Sequence, residues 1–309
     1  MRYVFGRGMA RQPQELGVGS TVSAAAEIES VANRLVLATM VLLALAIMTG
    51  PTHAASKETV RLVDVGGYHL NFRDTRGSAH GAVIVFESGG GDDSAVWDTV
   101  IDPIREATGA RIIRYDRAGY GHSDPAPGPY TVDSEVLALR RALDSLHVSS
   151  CVMFVAHSYG GFITTLYAAQ NPARVCGAVL IDADLVAFFS DAEVERLMAG
   201  YREERGEIAE HNPTLVKVLD SFPATVRRLR EVTFPESIPV IDIVSARPPV
   251  HSDLEIEDWR RVHRAFVEAA PTRRGTSAAS GHFVMRDSPR EVTDAVVQLY
   301  KQLDRVLEH

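Results

Sequence analysis

From about residue 60 the chain repeats one pattern: a short run of apolar residues, then a longer amphipathic stretch. Such runs suit strands covered on both faces of a sheet, and strands of that kind are joined in parallel by helices packed against it. Residues 82–86, 111–115, 151–156, 177–181 and 239–244 read as five such strands, with helices around 98–108, 132–146 and 162–170 between them. Ahead of them, residues 60–65 and 68–74 flank Gly66-Gly67 and read as an opening hairpin. The pattern closes with a weak strand near 272–280, then a helix from Pro289 to about residue 306, proline being suited to a first helical turn. There is no internal repeat.

Residues 185–236 interrupt the alternation with charged, helix-favouring sequence and read as a helical cap over the sheet. Phe188, Phe189, Leu197, Met198, Leu215, Val218, Leu219 and Phe222 either line an apolar pocket there or pack the cap's own helices together. Residues 1–55 read as a leader and export signal, and 56–309 as the folded domain. The apolar run at 35–48 follows Arg34, is shorter than the ~20 residues that span a bilayer, and precedes small residues at Ala54 and Ala55. The expected product is exported, periplasmic or secreted, without stable membrane insertion after processing; an uncleaved anchor is the alternative. Cys151 and Cys176 begin two candidate neighbouring strands, within disulfide reach if those strands pair, or else buried as thiols. A formal charge of -8 without a basic stripe argues against a nucleic-acid binder.

The sharpest local signal is Val155-Ala156-His157-Ser158-Tyr159-Gly160-Gly161, where a buried strand gives way to a helix. A serine on so tight a turn projects its hydroxyl above the sheet, and the turn needs small residues two before and two after it, here Ala156 and Gly160. Among 11 histidines, His282 lies in Ser280-Gly281-His282-Phe283, just before the last helix and close to Asp287. Imidazole can take the serine proton and return it to a leaving group. His157 follows Ala156 at a strand end and is expected to point away from the hydroxyl of Ser158.

With this elbow the sequence resembles the α/β-hydrolase family from about residue 60 to 307. The resemblance implies an α/β fold: a mostly parallel eight-stranded sheet with helices on both faces and a helical cap. It implies Ser158 as nucleophile and His282 as base, with an oxyanion hole made by the backbone N–H groups of Gly90, in Phe86-Glu87-Ser88-Gly89-Gly90-Gly91, and of Tyr159. Glu87-Ser88 replaces the family's frequent His-Gly. The stretch from Asp116 to Ser123 resembles a family turn and is expected to serve structure.

The acid is ambiguous. The family's usual position, after the strand at 239–244, holds Arg247-Pro248-Pro249, whereas some relatives carry the acid one strand earlier, where Asp182 lies. Asp182 is the expected acid, with Asp253, Asp184 and Glu255 as alternatives. The activity implied is hydrolysis of a small-molecule ester or amide through an acyl-enzyme, with no metal or organic cofactor; peptidase, lactonase and thioesterase variants stand behind it. A ligand-binding protein on the same fold is the reading from another class, favoured by the acid's absence from its usual place.

Overall fold

A computed structural model describes residues 58–77, 81–250 and 252–307. The leader and export-signal readings fall outside the described residues.

The first pair of strands, β1 (Thr59–Asp64) and β2 (His69–Asp74), forms the expected hairpin, with Asp64 Oδ1 accepting from the backbone N–H groups of Gly66 and Gly67 in its turn. Strands β3 (Val83–Glu87), β4 (Ile112–Tyr115), β5 (Val152–His157), β6 (Val175–Ile181), β7 (Val240–Arg247) and β8 (Arg273–Gly281) complete an eight-stranded sheet in the order β1-β2-β4-β3-β5-β6-β7-β8. All pairings from β4 to β8 are parallel, and β2 joins β4 antiparallel. Every residue of β3, β4 and β5 is buried, as a central strand sandwiched by helices requires. The polarity that made β8 faint in the sequence comes from its edge position, where much of it faces solvent.

Helix α1 (Asp98–Thr108) and the last helix cover one face through Val100, Ile104, Val292, Val296 and Leu299. On the other face, α2 (Val132–Ser145) and α3 (Gly160–Gln170) bury Val136, Leu139, Phe162 and Leu166. Three consecutive helices, α4 (Asp191–His211), α5 (Pro213–Asp220) and α6 (Phe222–Leu229), lie between β6 and β7 in the chain. Val218 and Phe222 join the core there, Phe189 and Phe222 packing around Phe162, so these side chains fill space between the helices and the sheet. Helix α7 (Asp253–Glu268) occupies a stretch to which the sequence reading assigned no element, and α8 (Pro289–Leu307) closes the chain. The signal for α7 was present: Ser252 and Glu255 form a capping box, and Trp259, Val262, His263 and Phe266 recur at helical spacing.

Cys151 and Cys176 are joined by a disulfide, with Cα atoms 5.7 Å apart. It ties the starts of β5 and β6, two strands whose far ends carry Ser158 and Asp182.

Candidate active site

The turn from β5 into α3 is tight because the backbone of Ser158 takes φ +51°, a left-handed conformation costly for a residue with a Cβ. It is accommodated by close contacts that only small neighbours permit. A Cβ on Gly160 would lie 2.6 Å from the Glu87 carbonyl oxygen, and one on Gly161 would lie 2.8 Å from the Ala183 Cβ. Ser158 N–H donates to the Ile181 carbonyl at the end of β6, and Ser158 C=O accepts from Asp184 N–H at 2.8 Å. The elbow is thus stitched to β6 by its backbone, which leaves its side chain free to project.

Asp182 is the residue just past β6, and its backbone also takes a left-handed conformation, φ +44°. Its carboxylate is fully buried and accepts from His282 Nδ1–H through Oδ2 at 2.7 Å. Ser245 Oγ–H donates to the same oxygen at 2.8 Å, while Ser245 N–H and Trp259 Nε1–H each donate to Oδ1 at 3.1 Å. Because a carboxylate oxygen is the acceptor, the proton of a neutral His282 sits on Nδ1, and Nε2 is the nitrogen left for proton transfer. The loop carrying His282 starts from β8 and reaches back across β7 to meet Asp182 above β6. Asp287 Oδ2 fixes its base by accepting from Gly281 N–H at 2.7 Å.

His157 does not point clear of the site. Its ring centroid lies 4.5 Å from that of His282, and its Nε2–H donates to the His282 carbonyl at 3.0 Å. Alternation along β5 does send it to the opposite face from Ser158, but the His282 loop folds down over that face. Complete burial keeps its pKa well below the ordinary histidine value, so it acts as a neutral buttress.

Of the other carboxylates considered, Asp253 is exposed in the first turn of α7, while Glu255 closes the capping box and pairs with Arg196 at 2.7 Å. Asp184 stands nearer. Its carboxyl is pushed up to about 7, chiefly by burial and further by the Asp182 charge, with His282 acting in the opposite direction. The structure brings Asp182, and not Asp253 or Glu255, into hydrogen-bond contact with His282. Trp259 and Ser245 are site residues that the sequence reading passed over; the helix signal around Trp259 could have found the first.

The glycine-rich loop after β3 packs onto the elbow. A Cβ on Gly89 would lie 2.8 Å from His157 Nδ1 and 3.2 Å from Ser158 Cβ, and one on Gly90 would lie 3.6 Å from Tyr159 Cβ. Gly90 therefore sits beside Tyr159, whose backbone opens α3 at the helix's positive end. Beneath the loop, Arg117 is 1% exposed, donates to the Gly89 carbonyl at 2.6 Å, and lies over the rings of Tyr120 and Tyr159. Glu87, fully buried where a histidine is frequent in the resembling family, accepts from Tyr115 Oη–H at 2.6 Å. Burial raises its pKa to about 8, against the pull of Arg117. Asp116 accepts from Asn71 Nδ2–H, Ser94 N–H and His122 N–H, a structural task.

The cap touches this same loop. Leu215 approaches Gly90 and Gly91, Asn212 Nδ2–H donates to the Gly91 carbonyl at 3.4 Å, and Thr214 Oγ1–H donates to the Gly119 carbonyl at 2.9 Å. Among the described residues, no group of three or more His, Cys, Asp or Glu is arranged to hold a metal ion.

Comparison with known proteins bears on the fold that carries this site. A family model described as alpha/beta hydrolase fold matches residues 82–231. An uncharacterized Bacillus subtilis protein, YqjL, is 27% identical over 252 residues, 80% of this chain and 93% of that one. A 2-hydroxy-6-oxo-2,4-heptadienoate hydrolase from Pseudomonas putida is 34% identical over 133 residues, 42% of this chain and 47% of its own. A solved thermophilic esterase from Thermogutta terrifontis superposes with a TM-score of 0.57 at 17% identity, covering 80% of this chain and 99% of that chain, a likeness of fold. Sheet order and the family match together give the chain an α/β-hydrolase fold.

Proposed function

We propose that the protein is an exported serine hydrolase that cleaves small-molecule carboxylic esters, or amides, through an acyl-enzyme on Ser158. The observation that carries this reading is the 2.7 Å contact between buried Asp182 and His282, at the same end of the sheet as the left-handed Ser158. In this reading His282 Nε2 takes the Ser158 hydroxyl proton as Oγ attacks the substrate carbonyl, and Asp182 stabilises the imidazolium through Nδ1–H. The backbone N–H groups of Gly90 and Tyr159 donate to the developing oxyanion. The tetrahedral intermediate collapses, His282 returns the proton to the departing alcohol, and water repeats the sequence to free the acid and Ser158. The disulfide supports export, since such bonds persist in oxidising compartments. A ligand-binding role drew on the lack of an acid after β7; the contact of Asp182 with His282 weighs against it.

A fluorophosphonate probe tests the reading. It should label the folded protein and fail to label Ser158→Ala, while a surface serine variant labels normally; absence of labelling on folded wild type overturns it. A series of p-nitrophenyl esters of graded chain length then sets the substrate class.

A further inference from the structure

The acid of the site receives more than its histidine requires. Besides His282, three donors converge on Asp182, and one is the indole N–H of Trp259, a side chain 1% exposed on α7. A buried indole N–H finds a partner as a rule, and a neutral carbonyl would serve. Here it reaches a buried carboxylate, on the oxygen that His282 does not use. The ring is held from two sides: Phe188 lies edge-on at 4.9 Å between centroids, and His263 lies tilted at 5.0 Å. His263 is itself fixed to the sheet by Nδ1–H donating to Asp242 Oδ2 at 2.8 Å. A continuous path therefore runs from Asp242 on β7 through His263 and Trp259 to Asp182 and His282.

We infer that Trp259 is a positioning residue of the hydrolytic site, holding Asp182 Oδ1 so that Oδ2 stays directed at His282. Ser245 shares the task from the end of β7, its N–H on Oδ1 and its hydroxyl on Oδ2. The inference rests on Asp182 being the acid of the proposed reaction. Two physical consequences follow. A donor on Oδ1 fixes the plane of the carboxylate, whose own backbone is in the sparsely populated left-handed region. It also draws off part of the negative charge that would otherwise favour protonated imidazole. The other ionisable groups around this carboxylate are Asp184, on the same loop, and His263 with Asp242, from α7 and β7.

The test is the pH profile of kcat/KM for a p-nitrophenyl ester in wild type, Trp259→Phe, Ser245→Ala, Asp182→Asn and the double variant Trp259→Phe/Asp182→Asn. With the donor gone, more of the Asp182 charge faces the imidazole, so the acid limb should move to higher pH by about half a unit to one unit. The plateau should fall about tenfold. In the Asp182→Asn background the Trp259 change should cost nothing further, because its route to His282 runs through the carboxylate. A lower melting temperature with an unmoved acid limb would make Trp259 a core residue only and overturn the proposal. Should Trp259→Phe fail to fold, β-(3-benzothienyl)alanine at position 259 keeps the ring shape while sulfur replaces the N–H, and the same shift is expected. Failure of the underlying assignment looks different: Asp182→Asn would then turn over ester at the wild-type rate.

Discussion

Two histidine–aspartate pairs lie within this domain, and they differ in almost nothing but surroundings. His282 meets Asp182 at 2.7 Å and His263 meets Asp242 at 2.8 Å, each through Nδ1. Both aspartates are buried, and both belong to neighbouring strands β6 and β7 or the residue just past them. Yet the His282 side chain is 18% exposed on a loop above the sheet, whereas His263 is 2% exposed on a helix packed against it. The Nε2 of His263 and Oδ1 of Asp242 are buried without hydrogen-bond partners, while every available direction around the Asp182 carboxylate is filled by a donor. A paired imidazole is therefore no sufficient sign of a base. Access to Nε2 and saturation of the partnering carboxylate distinguish a pair suited to moving protons from one suited to joining a helix to a strand.

The largest expected difference between the pairs is in rate. His282→Ala and Asp182→Asn should each lower ester turnover by about three to four orders of magnitude, read from kcat at saturating substrate. His263→Leu should instead leave turnover within about tenfold and cost about 3 kcal/mol in a urea melt, because Asp242 is then a buried charge with no partner. If His263→Leu proved stable but inactive, the two pairs would be alike in function and the contrast would fail.

A smaller effect concerns pH. Burial opposes the charge on His263, but the Asp242 carboxylate overcomes it and raises the pKa above the ordinary 6.5. A raised folded value means that protonation binds more tightly in the native state, so this contribution is complete below about pH 6.5 and is lost as pH rises through the folded pKa. The stability gap between wild type and Asp242→Asn should thus be widest below about pH 6.5 and narrow above it, as His263 loses its proton. Urea melts at several pH values would show it; a gap that widens with rising pH would reverse the assignment of charge. The smallest effect should come from Asp253→Asn. On the exposed first turn of α7 it should change turnover by less than about twofold and stability by less than about 1 kcal/mol, the scale of a helix-dipole interaction.

What the sequence made legible follows from the range over which each signal acts. Ser158 and its small neighbours are a local pattern: the ends of both adjacent strands, β3 and β6, crowd the turn, but the answer to that crowding lies in the small residues beside the serine, so seven residues suffice to mark it. Asp182 was harder because its role depends on a partner 100 positions away, and four carboxylates could be drawn to one histidine on paper. The cluster of Glu87, Arg117 and Tyr115 under the glycine-rich loop was invisible for the same reason: a buried charge is legible only when its partner is known. Helix α7 is a different kind of miss. Its cap and its apolar stripe are both local, but the exposed charges around Trp259 and His263 masked the period.

The bond between Cys151 and Cys176 pins the feet of the two strands whose tips hold Ser158 and Asp182. Like a clothes-peg sprung at the wrong end, the pair can lose its clip without touching its jaws: material made in a reducing host should come out chemically competent but shorter-lived on heating. Storage life, more than catalytic speed, is then the property by which to judge how the protein was produced.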